Sequence, residues 1–286
     1  MTIVRQIFGF ERAETRGDKL HAKLLELFLL LYAVGWAWQW AFFIRRLPAV
    51  VVPQGLASYF DLSPLLAGPW ALVNAACLTM GALCVAVGQF RRALLPGFVL
   101  LLHLQYVARH CLGKASHGSQ YVGMGVLILA VAAWCMPTAA ARRRFELGGS
   151  LFCMGVGYSL AALSKLAASG PSWVNGRHLW LWITEKSIDQ LANSGHWQQN
   201  ALQRLCLEHW WLATAILSLG LLTELLGVLL WFPRTRVAIT LALIALHLGI
   251  FCVLGILFDA FMYQLMVVGL PWSRVFDHVL HRPGES

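Results

Sequence analysis

An all-α, polytopic helical membrane bundle is the fold class this sequence predicts, and three observations predict it. Apolar residues make up 59% of the 286 residues, against 12% charged, well beyond the about 45–50% apolar content of ordinary soluble domains; mean hydropathy is +0.66. Apolar runs of about 20 residues recur along the chain, the length a helix needs to carry its own backbone hydrogen bonds across a bilayer. Basic residues gather in every second connection between those runs, as cytoplasmic loops do.

Seven runs qualify: 24–44, 70–89, 94–110, 121–139, 147–168, 210–232 and 237–258. The stretch 261–270 is too short to cross alone, and breaks at Asp259 and Gly269 make it the finish of a kinked last helix. The expected count is therefore about seven or eight spans. Residues 1–23 carry Arg5, Arg12, Arg16, Lys19 and Lys23. Together with Arg91, Arg92, Arg142, Arg143, Arg144, Arg234 and Arg236 they place twelve basic residues on one side against seven on the other, which predicts a cytoplasmic N-terminus. Residues 24–272 then form one transmembrane domain and 273–286 a short tail. Charges scattered through 1–23 leave no apolar core for a removable signal peptide, and 9–23 reads equally as an interfacial helix or as a topology signal. The net charge of +9, so distributed, is a membrane signal and excludes a nucleic-acid reading. Short loops point to a bacterial inner membrane.

Between the fifth and sixth runs, 169–209 reads as a helical insert on the outer side. Gly170-Pro171-Ser172 stops the fifth helix, Trp173, Trp180, Trp182 and Trp197 are interface-seeking, and Asn193-Ser194-Gly195 marks a turn. Seven cysteines sit mostly within the runs and contain no Cys-x-x-Cys pair, which argues against thiol redox chemistry and a thiolate metal site. Cys111 and Cys206, near the outer ends, are either a bridge or buried free thiols.

Chemistry-bearing residues stand out against this apolar background. Lys165 closes the fifth run, and an intramembrane cation is either a snorkelling side chain or a site. Tyr158 lies two helical turns before it on nearly the same face, with Ala161 and Ala162 between them as small residues that admit a flat ligand or a second helix. A lysine freed of its proton in apolar surroundings can act as a general base on an acidic hydroxyl. His110, Lys114 and His117 occupy the outer connection after the third run; without a carboxylate or a Glu-x-x-His pattern they predict a proton relay or a polar loop, not a metal site. Glu224 and His247, single ionisable residues in the last two runs, read as a mutual pair, a proton path or ligand contacts. His103 with His247 is the one histidine pair that would suit a haem between helices.

The pattern Tyr158-x6-Lys165-Leu-x6-Trp173-x2-Gly176 resembles the core motif of the vitamin K-dependent gamma-glutamyl carboxylases and their relatives, the horizontally transferred transmembrane (HTTM) domain proteins. His117-Gly-Ser-Gln-Tyr121 is similar to a His-Ser-Tyr element of that family, and Thr223-Glu224-Leu225-Leu226 with His247-Leu-Gly-Ile-x7-Phe258 is similar to its closing pair of spans. The resemblance implies a site for a reduced quinone, vitamin K-like, on the outer side. Lys165 would be the base, His117 a relay or oxyanion partner, and Tyr158, Trp173, Gly176, Glu224 and His247 would contact the substrate. The implied activity is carboxylation or a related modification. The implied partners are a membrane lipid or quinone and a secreted peptide or partner chain. The alternative is a non-catalytic membrane factor that assists maturation or export of a secreted peptide.

Overall fold

The computed structural model of the chain describes residues 8, 12–44, 59–60, 69–111 and 118–280. Regular structure among them is helical throughout, with no strand. Among the described residues five helices are long and apolar enough to cross a membrane: Arg16–Phe43, Pro69–Ala86, Ala139–Val174, Trp210–Trp231 and Arg236–Leu254. This composition suits an integral membrane protein. Helix Gln120–Cys135 is apolar but shorter, and Arg91–Cys111 is diluted by Arg91, Arg92 and His103. The chain divides into two compact units, 1–150 with 271–286, and 151–270.

The first unit contains α1 (Arg16–Ile44), α2 (Pro69–Ala86), α3 (Arg91–Cys111), α4 (Gly118–Cys135), the start of α5 (Ala139–Ser169), and a closing helix, Trp272–Leu280. The apolar run starts at residue 24, but α1 begins eight residues earlier, because Thr15 and Asp18 cap it reciprocally. The Asp18 amide donates to Thr15 Oγ1 at 3.0 Å and the Thr15 amide to Asp18 Oδ2 at 3.1 Å, satisfying donors a helix start leaves open. The core runs along α1 through Leu25, Leu29, Ala33 and Ala37. Trp38 Nε1 donates to Thr79 Oγ1 on α2 at 2.9 Å, and Gln105 Nε2 donates to Ala37 O at 3.2 Å. These bonds fix α2 and α3 on α1 through groups that lipid would leave unpaired. Within the stretch read as a tail lies the helix Trp272–Leu280, packed on the start of α1. Asp277 Oδ1 accepts from the Gly17 amide at 2.7 Å, and a Cβ at Gly17 would lie 2.0 Å from Ser273 O, so only glycine fits there.

The second unit holds the rest of α5, a 3-10 turn Gly170–Val174, α6 (Gly176–Ser194), α7 (Ala201–Glu208), α8 (Trp210–Leu225) with its 3-10 extension Leu226–Trp231, α9 (Arg236–Leu254) and α10 (Asp259–Gly269). The connection between α5 and α8 is thus helical, as its stop and turn signals predict. Gly195 ends α6 at φ 73° and Gly255 ends α9 at φ 68°, the left-handed geometry that favours glycine at a helix C-terminus. Asn200 and Gln203 form a capping box on α7. Leu179, Ile183, Cys206, Ala213, Leu217 and Val253 make the apolar core shared by α6 to α9. Cys206 is there as a buried free thiol, so the bridging alternative for it does not form.

Candidate functional site in the second unit

Small residues let α5 and the end of α8 approach closely. A Cβ on Gly227 would lie 2.6 Å from Tyr158 Cβ, and one on Gly155 would lie 2.8 Å from Gly227 O. At this crossing α8 tightens into its 3-10 extension, which shifts backbone groups out of register. Ser159 catches both loose ends: its Oγ donates to Leu225 O at 2.9 Å and accepts from the Val228 amide at 2.9 Å.

This packing sets Lys165 of α5 against Glu224 of α8, where the ammonium donates to the carboxylate in an ion pair. The side chains are 29% and 12% exposed, so the pair is partly desolvated and the contact is stronger than a surface one. Lys165 Nζ also sits 4.8 Å from the Trp173 ring centroid, within cation–π range. Trp173 in turn meets Trp182 of α6 with ring centroids 5.8 Å apart. The 3-10 turn that follows Gly170, at φ 60°, is what folds Trp173 back over the lysine.

Two turns earlier on the same face of α5, the Tyr158 hydroxyl lies 2.6 Å from His247 Nε2, and both side chains are buried. Phe258 and Phe261 pack on the imidazole at 5.4 and 5.5 Å. His247 Nδ1 is buried without a hydrogen-bond partner among the described residues, a state that a water or a bound polar group relieves. Glu224 and His247 therefore take separate partners, Lys165 and Tyr158, and not each other. Of the two ring nitrogens of His247, Nε2 is committed to Tyr158.

Gly176 opens α6 against α8: its amide donates to Thr214 Oγ1 at 2.9 Å, and a Cβ there would lie 2.2 Å from Trp210 O. Of the remaining sequence candidates, His117 and Lys114 lie outside the described residues. No group of three or more His, Cys, Asp or Glu side chains suited to a metal occurs among the described residues.

Sequence reasoning missed a second ionic centre, in the first unit. Arg91 of α3 bonds Glu26 of α1 and, at 3.3 Å, Glu146 of α5; Lys23 reaches Glu26 at 2.7 Å and Arg142 lies 3.5 Å from Glu146. Glu26 and Glu146 are almost fully buried. Their signal was present, since each is a lone carboxylate inside or beside an apolar run, where ionisable groups find partners. Comparison with known proteins adds no relative: no family model, no curated protein and no solved structure matches the chain.

Proposed function

We propose that the chain is an integral membrane protein of the vitamin K-dependent carboxylase-like, HTTM type, and that its second unit takes a reduced quinone at Lys165 and Glu224 for carboxylation or a related modification. The observation that carries this reading is the Lys165–Glu224 pair under the Trp173 ring. For Lys165 to act as the base, the proton it shares with Glu224 must pass to the carboxylate. With the proton on Glu224, Lys165 is a free amine able to accept the hydroxyl proton of the quinol; the resulting ammonium then faces the oxyanion it has made. Trp173 supplies a flat apolar wall for a ring, and His247 Nδ1, on the Tyr158 side of the same helix face, supplies an unused polar atom for a second ring substituent. The N-terminus lies on the cytoplasmic side of a bacterial inner membrane, a reading supported by the basic residues of 1–23 and of the alternate loops.

The test is retention of quinone by the detergent-purified protein, read by mass spectrometry of extracted lipid, in wild type, Lys165→Ala and Glu224→Gln. A quinone held by the wild type and lost by at least tenfold in both variants is the expected result. Equal retention in all three, or none in the wild type, would remove the reading. A second reading, a non-catalytic factor for a secreted peptide, draws on the exposed apolar side chains Trp180, Leu181, Ile188 and Leu191 of α6 and on Trp210 and Trp211. It expects a photo-cross-linker at Trp180 to capture a peptide with equal yield in wild type and Lys165→Ala.

A further inference from the structure

A cavity of about 330 Å³ opens within the first unit, between α1, α3 and α4. Ala33, Trp36, His103, Tyr106, Gln120 and Gly123 are among the residues that line it. Its size falls at the lower end of small-ligand sites, and its wall is mostly apolar with a few convergent polar groups, as in such sites. Neither the Lys165 site nor the ionic centre of the first unit uses any of these residues.

The polar groups specify the ligand. His103 Nδ1 lies 2.9 Å from Val99 O. A carbonyl only accepts, so Nδ1 carries the hydrogen, and in the neutral ring Nε2 is left as an acceptor. The ring's Cε1 edge faces Gly123, where a Cβ would stand 3.8 Å from it; the glycine keeps that edge uncovered. Gln120 Nε2 donates to the Tyr106 hydroxyl at 2.6 Å, which orients the amide and leaves its oxygen as a second acceptor. Among the described residues that line the cavity, none is Lys, Arg, Asp or Glu. An acceptor-bearing, uncharged wall gives an anionic headgroup or a carboxylate no counter-charge, while it suits a neutral donor. Trp36 adds an aromatic surface, and aromatic rings meet in offset or edge contact. His103 is exposed on its helix, so the polar edge lies at the mouth, not in the packed core.

We infer that this cavity is a binding site for an uncharged aromatic hydroxyl compound, a phenol-class hydrophobe whose O–H donates to His103 while its ring packs on Trp36. The site is separate from the proposed quinol site in the second unit, and its test does not depend on that reading.

The probes are 2-naphthol and naphthalene, which share the ring system and differ by the hydroxyl, titrated by fluorescence into the full chain in nanodiscs against empty nanodiscs. Wild type is expected to bind 2-naphthol saturably and about tenfold more tightly than naphthalene, the factor that about 1.4 kcal/mol from one hydrogen bond provides. His103→Phe keeps a ring at the mouth and is expected to lower 2-naphthol affinity about tenfold with naphthalene unchanged. Gly123→Leu fills the cavity and is expected to abolish binding of both, whereas Gly123→Ala, whose Cβ makes ordinary contact, retains it. A melting temperature within a few degrees of wild type certifies each variant as folded. Equal affinity for the two probes, equal loss of both in His103→Phe, undiminished binding in Gly123→Leu, or no saturable binding in wild type would each overturn the assignment.

Discussion

The Tyr158 hydroxyl lies 2.6 Å from His247 Nε2, joining α5 to α9 inside the second unit. A buried hydrogen bond of this kind contributes about 0.5–1.5 kcal/mol net, and a partner stranded without it costs about 1–3 kcal/mol. Tyr158→Phe is expected to destabilise the protein by about 1–3 kcal/mol, read as a lowered melting temperature in detergent. Adding His247→Phe to it is expected to recover part of the loss, since no polar atom is then left alone. If the two single losses simply add in the double variant, the side chains do not act as a pair.

The crossing of α5 and α8 depends on Gly227, whose hydrogen faces Tyr158 Cβ and the Gly155 carbonyl. Gly227→Val is expected to cost about 1–3 kcal/mol through overpacking and to separate Lys165 from Glu224. Gly220→Ala, in α8, would place a Cβ 3.2 Å from Leu246 Cδ1 of α9, the end of a flexible side chain, and is expected to be milder. Thermal melts of the two variants in one detergent compare them directly.

Arg91 is the hub of the ionic centre in the first unit. Arg91→Met leaves Glu26 with Lys23 alone and Glu146 with Arg142 alone, and is expected to cost up to about 3–5 kcal/mol, the cost of breaking a buried ion pair, seen as a fall in the yield of monodisperse protein. Arg91→Lys is expected to rescue little, because a single ammonium lacks the planar fork that reaches Glu26 and Glu146 together. Full recovery with lysine would show that charge alone suffices there.

Glu14 accepts from Arg143 Nε at 2.6 Å and from Nη2 at 2.5 Å, and this bond holds its carboxyl below the usual carboxylate range. A depressed folded value means that the contribution is present above the ordinary carboxylate range and is lost as pH falls through the depressed value. Glu14→Gln is expected to lower stability at neutral pH and to flatten the acid limb of the melting temperature against pH. Parallel curves for wild type and variant would rule out this linkage.

Cys206 is buried in the α6–α9 core, and burial pushes its thiol up from the ordinary value. It is expected to resist maleimide in the folded protein and to react on unfolding, whereas Cys252, exposed on α9, reacts first in detergent. Peptide mapping after timed labelling orders the two.

Composition, run length and the placement of arginines determined the helical class and marked the helices apolar enough for a bilayer, because lipid leaves a chain few ways to satisfy its backbone. They also singled out Tyr158, Lys165, Trp173, Glu224 and His247 as candidates, since polar groups in apolar helices are rare enough to be conspicuous. Pairing was another matter. A helix states its own period but not which face of a distant helix it will meet, so nothing in the order of residues separated Glu224–His247 from Lys165–Glu224 and Tyr158–His247. That choice rests on the Gly155–Gly227 contact and on the 3-10 turns at Gly170 and Leu226, where fractions of an ångström and a positive φ set the register. Likewise, arginines 91 and 142 read as topology signals along the chain, and became partners of Glu26 and Glu146 only when three helices converged. The sequence decided which groups must be paired in an apolar medium; the tertiary packing decided with whom, because hydrogen bonds and ion pairs reward only side chains that packing has already brought within reach.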